Sequence, residues 1–325
     1  MPVAAVPDEL ADHLAPVDGV EVLRYDPTDP DTVPGVRPRA DGVGVGDGVN
    51  DDVDILVLPM VGSPWLRRMG EVPGVRAVVL ATAGYDHALP FLPDGVQLAN
   101  AVGVHDTATS ELALTLILAA QRQLPHHVLR QAEGSWQRSA PDPWRSLADS
   151  RVLVVGYGGI GTALTRRLLA CECEVVAVAS RDRDGDGLVD RVHGIDRLPE
   201  LLPTADVVVL AVPLTDRTRG LLGPAELAVL PDHALVVNVG RGPVVDTDAL
   251  LAECSSGRLR AALDVTDPEP LPDGHPLWSA PGVLVVPHVG GASPAGLPRM
   301  GSYLRRQLCA YRDSGVLEHR VDPHS

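Results

Sequence analysis

Short apolar runs rich in β-branched residues recur along the chain, each closed by small or turn-forming residues. Runs of this kind are typical of strands that are buried on both faces of a parallel sheet. They occupy residues 53–59, 75–82, 174–179, 206–212, 234–239 and 283–286. Helical stretches separate most of these runs, and strands that alternate with helices predict an α/β fold with parallel sheets.

A long segment that begins near Thr107, with the sequence ATSELALTLILAAQRQL, contains neither glycine nor proline and is rich in alanine and leucine. It predicts a buried helix, which we expect to open a second domain. The length of 325 residues also favours about two domains. We interpret residues 31–52, which are rich in glycine, aspartate, valine and proline, as a surface excursion, and residues 131–150 as a polar connection.

Composition and charge exclude several kinds of chemistry. Acidic residues outnumber basic ones by 43 to 27, for a formal charge of −16, so nucleic acid and anionic membrane surfaces are not expected partners. The chain contains no lysine, which excludes Schiff-base chemistry and a lysine-dependent phosphate loop. The four cysteines form neither a disulfide framework nor a zinc motif. Because there is no leader sequence and no long apolar run, we expect a soluble, cytoplasmic protein.

Three glycines form a GxGxxG pattern at Gly156, Gly158 and Gly161. They directly follow the apolar sequence VLVV and open a predicted helix. In that arrangement the first glycine permits a tight turn, the second lets the backbone approach a pyrophosphate, and the third lets helix and strand pack closely. The helix N-terminus then faces the phosphates, so this segment predicts a dinucleotide-binding site.

The residues that follow the next strand bear on the choice between NAD and NADP. An acidic side chain there would accept hydrogen bonds from the ribose 2′-OH of NAD. This chain has Ser180 and Arg181 at that point, and a guanidinium suits the 2′-phosphate of NADP. The sequence therefore favours NADP over NAD, although Asp182, one residue later, leaves NAD open.

Three polar residues follow apolar runs, at places where open α/β sheets bind their ligands. His288 ends the strand VLVV, Glu269 lies in a proline-rich loop after AALDV, and Arg241 follows the sequence VVNVG. A carboxylate that accepts the imidazole N–H would raise the pKa of the histidine and keep it protonated, ready to donate to a carbonyl oxygen. The planar guanidinium of arginine would bind a carboxylate and polarise the adjacent carbonyl.

Taken in order, these motifs resemble those of the D-isomer-specific 2-hydroxyacid dehydrogenase family. They are the glycine turn VVGYGGIG, the segment VPLTDRT, NVGRGPVVD, LDVTDPEP and PHVGG. Upstream, TAGYDH at residues 82–87 is similar to the family's substrate loop, and SELALTLILAAQR is similar to the helix that crosses between its domains. The resemblance covers most of the chain, and its five motifs occur in register.

The resemblance implies a role for each matching residue. His288 would be the general acid and base, Glu269 its partner, and Arg241 the group that binds the carboxylate and carbonyl of a 2-oxoacid. The backbone N–H groups of Ala83 and Gly84 would also bind that carboxylate. The side chains that would contact the cofactor are those of Asp264, at the nicotinamide amide, and of Ile160, Val212, Pro213 and Thr218. Hydride would pass directly from the reduced nicotinamide to carbon 2, without a metal.

The resemblance also implies the architecture. Residues 1–102 and 292–325 would form a flavodoxin-like substrate domain, and residues 103–291 a doubly wound, Rossmann-like NAD(P)-binding domain. The active site would lie in the cleft between them, and closure would expel water. A homodimer through the cofactor domains is implied as well. Trp136 and Trp144 fall where relatives extend an arm to the partner subunit, although a place in the core is an equal alternative.

Differences from individual branches of the family narrow the range of expected substrates. Glu269 stands where formate dehydrogenases carry glutamine, and Ala83 where phosphite dehydrogenases carry lysine. The chain also ends soon after the predicted closing helix, so we expect none of the regulatory domains of long phosphoglycerate dehydrogenases. Together with Arg181, these differences favour glyoxylate, hydroxypyruvate or a similar small 2-oxoacid. Met60 and Val61 would face the substrate side chain, with a core role left open for Met60.

A function of another class stays open at this stage. Corepressors of the C-terminal-binding-protein type use the same fold to sense dinucleotides, and they keep a similar triad. The present chain has no evident added tail or peptide-docking signature, so the sequence favours an enzyme. Turnover of a 2-oxoacid would discriminate between the two functions.

Overall fold

The computed structural model describes residues 1–29, 52–60, 63–139 and 143–322. The chain forms two compact units, one of Met1–His105 with Ser293–Ser325 and the other of Asp106–Ala292. Most of the predicted surface excursion, residues 31–51, lies outside the described residues, and so does Val61. Both units are built on parallel sheets flanked by helices, which confirms the predicted α/β class.

The strands and helices follow one another along both units. In chain order, the strands are β1 (Val3–Pro7), β2 (Glu21–Tyr25), β3 (Ile55–Leu58), β4 (Ala77–Leu80), β5 (Gln97–Ala99), β6 (Arg151–Val155), β7 (Glu174–Ala179), β8 (Arg183–Asp184), β9 (Arg191–Gly194), β10 (Val207–Leu210), β11 (Leu235–Asn238), β12 (Arg260–Leu263) and β13 (Val283–Val285). The helices are α1 (Asp8–Ala11), α2 (Trp65–Arg68), α3 (Asp106–Gln121), α4 (Leu124–Ala132), α5 (Gly159–Ala170), α6 (Leu198–Leu201), α7 (Pro224–Ala228), α8 (Thr247–Ser255) and α9 (Gly296–Ser314).

The first unit contains a five-stranded parallel sheet in the order β2-β1-β3-β4-β5, the order of flavodoxin-like folds. Its strands β3 and β4 read ILVL and AVVL and are buried throughout, because both faces of the sheet are covered. On one face, α9 packs Met300, Tyr303, Leu304 and Leu308 against the sheet. The last helix of the chain is therefore part of the core of the unit that the first strand opens.

The second unit contains an eight-stranded sheet in the order β13-β12-β11-β10-β6-β7-β9-β8. Its neighbouring strands are parallel except for the short pair β8 and β9. The strand order reverses between β6 and β10, where Val155 is paired with Leu210. Open α/β sheets bind their ligands outside the carboxyl ends of the strands at such a reversal. The fold therefore places the glycine turn after β6 at the expected ligand edge.

Three side chains for which the sequence left a place in the core as an alternative are exposed. Met60 is 37% exposed, Trp144 51% and Trp136 95%, so the core alternative for these residues was wrong.

Among the described residues, no helix is long and apolar enough to cross a membrane.

Candidate active site

The turn after β6 has the geometry that dinucleotide binding requires. Gly156 adopts φ of +107°, a conformation that side chains rarely allow, and a Cβ there would lie 2.5 Å from the Ala211 backbone. A Cβ at Gly161 would meet the carbonyl oxygen of Gly156, so a glycine is needed for α5 to pack this closely. Beside Gly158, by contrast, no heavy atom lies within 4 Å of the place where a Cβ would stand. This open space at the N-terminus of a helix fits a pyrophosphate.

The other predicted cofactor-lining residues lie in the first turn of α5 and in the segment after β10. Ile160 is half-buried, Val212 is buried and Pro213 is exposed. The Thr218 hydroxyl donates to the Pro213 carbonyl at 2.6 Å and accepts from the Thr215 N–H at 2.8 Å. Thr218 thus fixes the shape of the loop that presents Val212 and Pro213.

The segment after β7 carries the residues predicted to choose between NAD and NADP. Ser180 and Arg181 are both exposed. Within the described ranges, the Arg181 guanidinium has neither a hydrogen bond nor an ion pair. Asp182 differs, because its Oδ1 accepts from Arg191 at 3.0 Å. Arg181 is therefore available to an anionic group, whereas Asp182 already has a basic partner.

His288 and Glu269 form a hydrogen bond at the carboxyl edge of the second sheet. The imidazole Nδ1 lies 2.5 Å from the carboxylate Oε1. An ionised carboxylate can only accept, so Nδ1 carries a proton and Nε2 is left to exchange one. The hydrogen bond that the Nδ1–H donates to Glu269 raises the pKa of His288, and burial opposes this rise. The side chains are 45% and 39% exposed, so the ring is open to a ligand.

Asp264 fixes the backbone that carries His288. Its carboxylate accepts the N–H of Val289 at 2.7 Å and that of Gly290 at 3.0 Å, and its carbonyl accepts the N–H of His288 at 2.8 Å. These three contacts hold His288 in a left-handed conformation with φ of +50°, which costs free energy for a residue with a side chain. Burial raises the pKa of the Asp264 carboxyl group, and the two N–H donors oppose this rise.

Arg241 follows β11 in a loop that Asn238 braces. The Asn238 amide donates to the Arg241 carbonyl at 2.9 Å and accepts the N–H of Gly240 at 3.1 Å. A Cβ at Gly242 would meet the Thr266 carbonyl, so the arginine loop packs directly on the loop that leads to Glu269. After the larger effects of Glu269 and of burial, the charge of Arg241 also lowers the pKa of His288. The structure thus brings Arg241, Glu269 and His288 together at one sheet edge.

The predicted substrate loop lies in the first unit, after β4. The Thr82 hydroxyl donates to the Gly84 carbonyl at 2.7 Å, and the Asn100 amide donates to the Ala83 carbonyl. Both carbonyl groups are therefore occupied. In the described part of the chain, the N–H groups of Ala83 and Gly84 have no acceptor. Two adjacent free N–H groups are suited to bind an anion.

Three supporting residues escaped the sequence analysis. Asn238 is fully buried and braces the arginine loop, and Asn100 supports the loop of Ala83. Tyr157 occupies a variable position of the GxGxxG pattern, and its hydroxyl donates to Asp186 at 3.1 Å. Of these three residues, only Asn238 could have been identified from the sequence, because it is a polar residue at the end of the apolar run LVVN.

An open glycine turn at the reversal of a doubly wound sheet, together with a hydrogen-bonded imidazole and carboxylate at the carboxyl edge of the same sheet, is typical of dinucleotide-dependent oxidoreductases. The chain belongs to the D-isomer specific 2-hydroxyacid dehydrogenase family. The family model described as "D-isomer specific 2-hydroxyacid dehydrogenase, NAD binding domain" matches residues 114–290. This finding confirms the resemblance that the five sequence motifs indicated.

Individual relatives agree with the family. Glyoxylate/hydroxypyruvate reductase B of Yersinia enterocolitica is 30% identical over 259 residues, 77% of this chain and 78% of the relative. A D-isomer specific 2-hydroxyacid dehydrogenase from Xanthobacter autotrophicus, solved with NADPH and MES, has a TM-score of 0.75 at 28% identity and covers 99% of this chain and 98% of its own. An NADPH-dependent glyoxylate/hydroxypyruvate reductase from Sinorhizobium meliloti, solved with NADP and sulfate, has a TM-score of 0.78 at 27% identity, with the same coverage.

Proposed function

We propose that this protein reduces a small 2-oxoacid to the D-2-hydroxyacid, with hydride taken from NADPH. The hydrogen bond between His288 and Glu269 carries the proposal, because it prepares a proton donor at the edge of a dinucleotide-binding sheet. Glyoxylate and hydroxypyruvate are the favoured substrates. The names of the relatives from Y. enterocolitica and S. meliloti support this choice.

His288 supplies the proton in this mechanism. Its Nδ1–H is held by Glu269, so Nε2–H is the group that donates to the 2-oxo oxygen. The negative charge of Glu269 stabilises the imidazolium before the transfer. After the transfer, the neutral ring keeps its Nδ1–H and presents Nε2 as an acceptor. The same atom therefore accepts the hydroxyl proton when a 2-hydroxyacid is oxidised.

Arg241, Ala83 and Gly84 bind the substrate in this proposal. The Arg241 guanidinium would contact the carboxylate and the 2-oxo oxygen, where its charge stabilises the oxygen as negative charge develops. The N–H groups of Ala83 and Gly84 would donate to the same carboxylate, and their lack of an acceptor among the described residues supports this role. Because the chain contains no lysine, arginine is its only side chain that stays cationic across the physiological pH range and can pair with an organic anion.

The cofactor is held by residues of the second unit. When bound, the reduced nicotinamide supplies the hydride that adds to carbon 2. The residues that would hold it are Gly156, Gly158, Ile160, Gly161, Val212, Pro213, Thr218 and Asp264. Both carboxylate oxygens of Asp264 already accept a backbone N–H. Each keeps a further lone pair, so Asp264 is still able to accept from the nicotinamide amide.

The preference for NADPH rests on the residues after β7. The Ser180 hydroxyl and the Arg181 guanidinium would donate to the 2′-phosphate. The exposure of both side chains supports this role. The two structural relatives that were solved with NADPH or NADP support it as well.

A homodimer is part of the proposal. The segment that includes α4 exposes apolar side chains, namely Leu124, Val128, Leu129, Trp136 and Trp144. Clustered exposed apolar side chains are typical of protein interfaces. The partner that we propose is a second copy of this chain, bound through the second unit.

The direct test follows the absorbance of NADPH and, separately, of NADH while glyoxylate, hydroxypyruvate, pyruvate and longer 2-oxoacids are offered in turn. We expect turnover of glyoxylate and hydroxypyruvate, with NADPH as the better hydride donor. In His288→Asn, turnover should fall by about 10²–10⁴-fold, while the affinity for NADPH is retained. Tight nucleotide binding with no turnover of any acid would contradict the proposal and favour a dinucleotide sensor.

A further inference from the structure

The segment after β7 folds back as a hairpin of β8 and β9, which pairs with the edge of the second sheet. Arg191 lies ten residues after Arg181 along the chain, and the hairpin brings it into contact with Asp182, the acidic residue that follows Arg181. Arg191 donates from Nε and Nη2 to the Asp182 carboxylate oxygen Oδ1, at 3.2 and 3.0 Å. Asp182, the carboxylate next to Arg181 along the chain, is thus held by a second arginine.

The other carboxylate oxygen of Asp182 faces β9 as well. Oδ2 lies 3.1 Å from the place where a Cβ would stand at Gly194, so a side chain there would crowd the carboxylate. The hydrogen bond from Arg191, with a smaller contribution from the Gly194 N–H, lowers the pKa of Asp182. Asp182 therefore stays ionised. Oδ1 already accepts two N–H groups of Arg191, so only Oδ2 keeps lone pairs for another donor. To accept both ribose hydroxyls of NAD with its two oxygens, Asp182 would have to release Oδ1 from Arg191.

The hairpin is fixed to the dinucleotide turn, so its charges have a defined place beside that turn. Arg183 donates to the carbonyl of Tyr157 at 2.7 Å. The Tyr157 ring is buried, and its hydroxyl donates to Asp186 in the hairpin loop. Burial, followed by the hydrogen bond to Asp186, raises the pKa of Tyr157 to about 12, so its hydroxyl keeps the proton that makes this contact.

We propose that Arg191 is a cofactor-specificity residue that acts through Asp182. By holding and neutralising this carboxylate, Arg191 lowers the repulsion that Asp182 would exert on a 2′-phosphate and keeps Asp182 from binding the ribose of NADH. Arg181 then contacts the phosphate without competition from Asp182. The inference rests on the proposed use of NAD(P)H, and it identifies Arg191 as a positioning residue, not a phosphate ligand.

The test compares the dissociation constants of NADPH and NADH for the unmodified protein and for Arg191→Gln, measured by calorimetry without substrate. Removing the arginine exposes a full negative charge near the 2′-phosphate. We expect the ratio of the NADPH to the NADH dissociation constant to rise about fivefold or more. Arg151→Gln is the matched control, because Arg151 forms a similar pair with Glu174 at the amino ends of β6 and β7, whereas the glycine turn follows the carboxyl end of β6. Its ratio should not change.

Two further backgrounds separate an action through Asp182 from direct contact. In Asp182→Asn there is no charge to neutralise, so adding Arg191→Gln should leave the ratio nearly unchanged. Asp184→Asn removes a neighbouring carboxylate instead, and in that background the full effect of Arg191→Gln should persist. Thermal unfolding of each variant checks that the fold is retained.

The outcomes separate this inference from the function on which it rests. An effect of Arg191→Gln that persists in Asp182→Asn would overturn the inference, because Arg191 would then act on the phosphate directly. An unchanged ratio of the NADPH to the NADH dissociation constant in Arg191→Gln would also overturn the inference. The proposed function would still stand in that case, provided that the unmodified protein binds both nucleotides. A failure of the unmodified protein to bind either nucleotide would overturn both.

Discussion

At the scale of the residue, the contact with Glu269 has the largest effect on the pKa of His288. The Glu269 carboxylate accepts the Nδ1–H and raises the pKa of the ring, so the protonated form persists to higher pH than in a free histidine. The pair also contributes to stability at low pH. This contribution is complete below the unfolded-state pKa of about 6.5 and is lost as the pH rises through the higher folded-state pKa.

Glu269→Gln should move the pH profile of reduction to lower pH. The amide cannot neutralise the imidazolium, so the pKa of His288 falls and the proton donor is lost earlier as the pH rises. We expect kcat/KM at alkaline pH to fall by about tenfold or more, with a smaller loss at acidic pH. The measurement is kcat/KM for 2-oxoacid reduction across the pH range.

The control for this variant is Glu200→Gln, which removes a surface carboxylate that pairs with Arg197 in the same unit. Its profile should match that of the unmodified protein. A parallel loss of rate at every pH in Glu269→Gln, without displacement of the profile, would contradict the assigned role in proton transfer.

At the scale of the element, α9 provides the core of the first unit with buried side chains from the far end of the chain. Leu304 is fully buried against the sheet. Leu304→Ala should lower the free energy of unfolding by about 2–4 kcal/mol, because it leaves a cavity. Denaturant unfolding measures this change. Arg305→Ala, at the exposed neighbouring position, should change it by less than about 0.5 kcal/mol. Equal effects of the two variants would show that α9 does not pack as described.

The elements that the sequence predicted are those with strong local patterns. The run at 174–179 is β7 itself, and the runs that contain β3 and β4 end one to two residues beyond the strands. The strands β1, β2, β5, β8 and β9 were not predicted from the sequence. Strand β2 has the mixed polar and apolar sequence EVLRY at a sheet edge, and β5 has only three residues. In strands like these, pairing with a neighbour outweighs the local pattern.

In the candidate site, too, the residues with a local sequence signal could be predicted, and the contacts that depend on the path of the chain could not. Arg241, Glu269 and His288 could be identified because each follows an apolar run, and the carboxyl ends of parallel strands share one edge. The contact of Arg191 with Asp182 could not, because it depends on the path of the hairpin and not on spacing along the chain. The braces from Asn238 and Asn100 likewise depend on where the loops pass each other.

At the scale of the whole molecule, the exposed apolar side chains of α4 bear on the proposed homodimer. We expect light scattering to give twice the chain mass of 34.3 kDa for the unmodified protein. Val128 on α4 is 61% exposed, and Val128→Glu places a charge there that should increase the fraction of monomer. Val229→Glu is the control, because Val229 is exposed elsewhere on the second unit. A monomer at all concentrations would contradict the dimer.

The place of α9 in the first unit has a consequence for synthesis on the ribosome. The strands β1 to β5 leave the ribosome first, but the face that they present to Leu304 and Leu308 stays uncovered until nearly the whole chain is made. Asp106–Ala292 is continuous, so its residues are all available earlier. The unit that begins first is thus the last to be completed. Until α9 is made, this exposed apolar face favours aggregation, and a chain released before residue 296 lacks the helix that covers it.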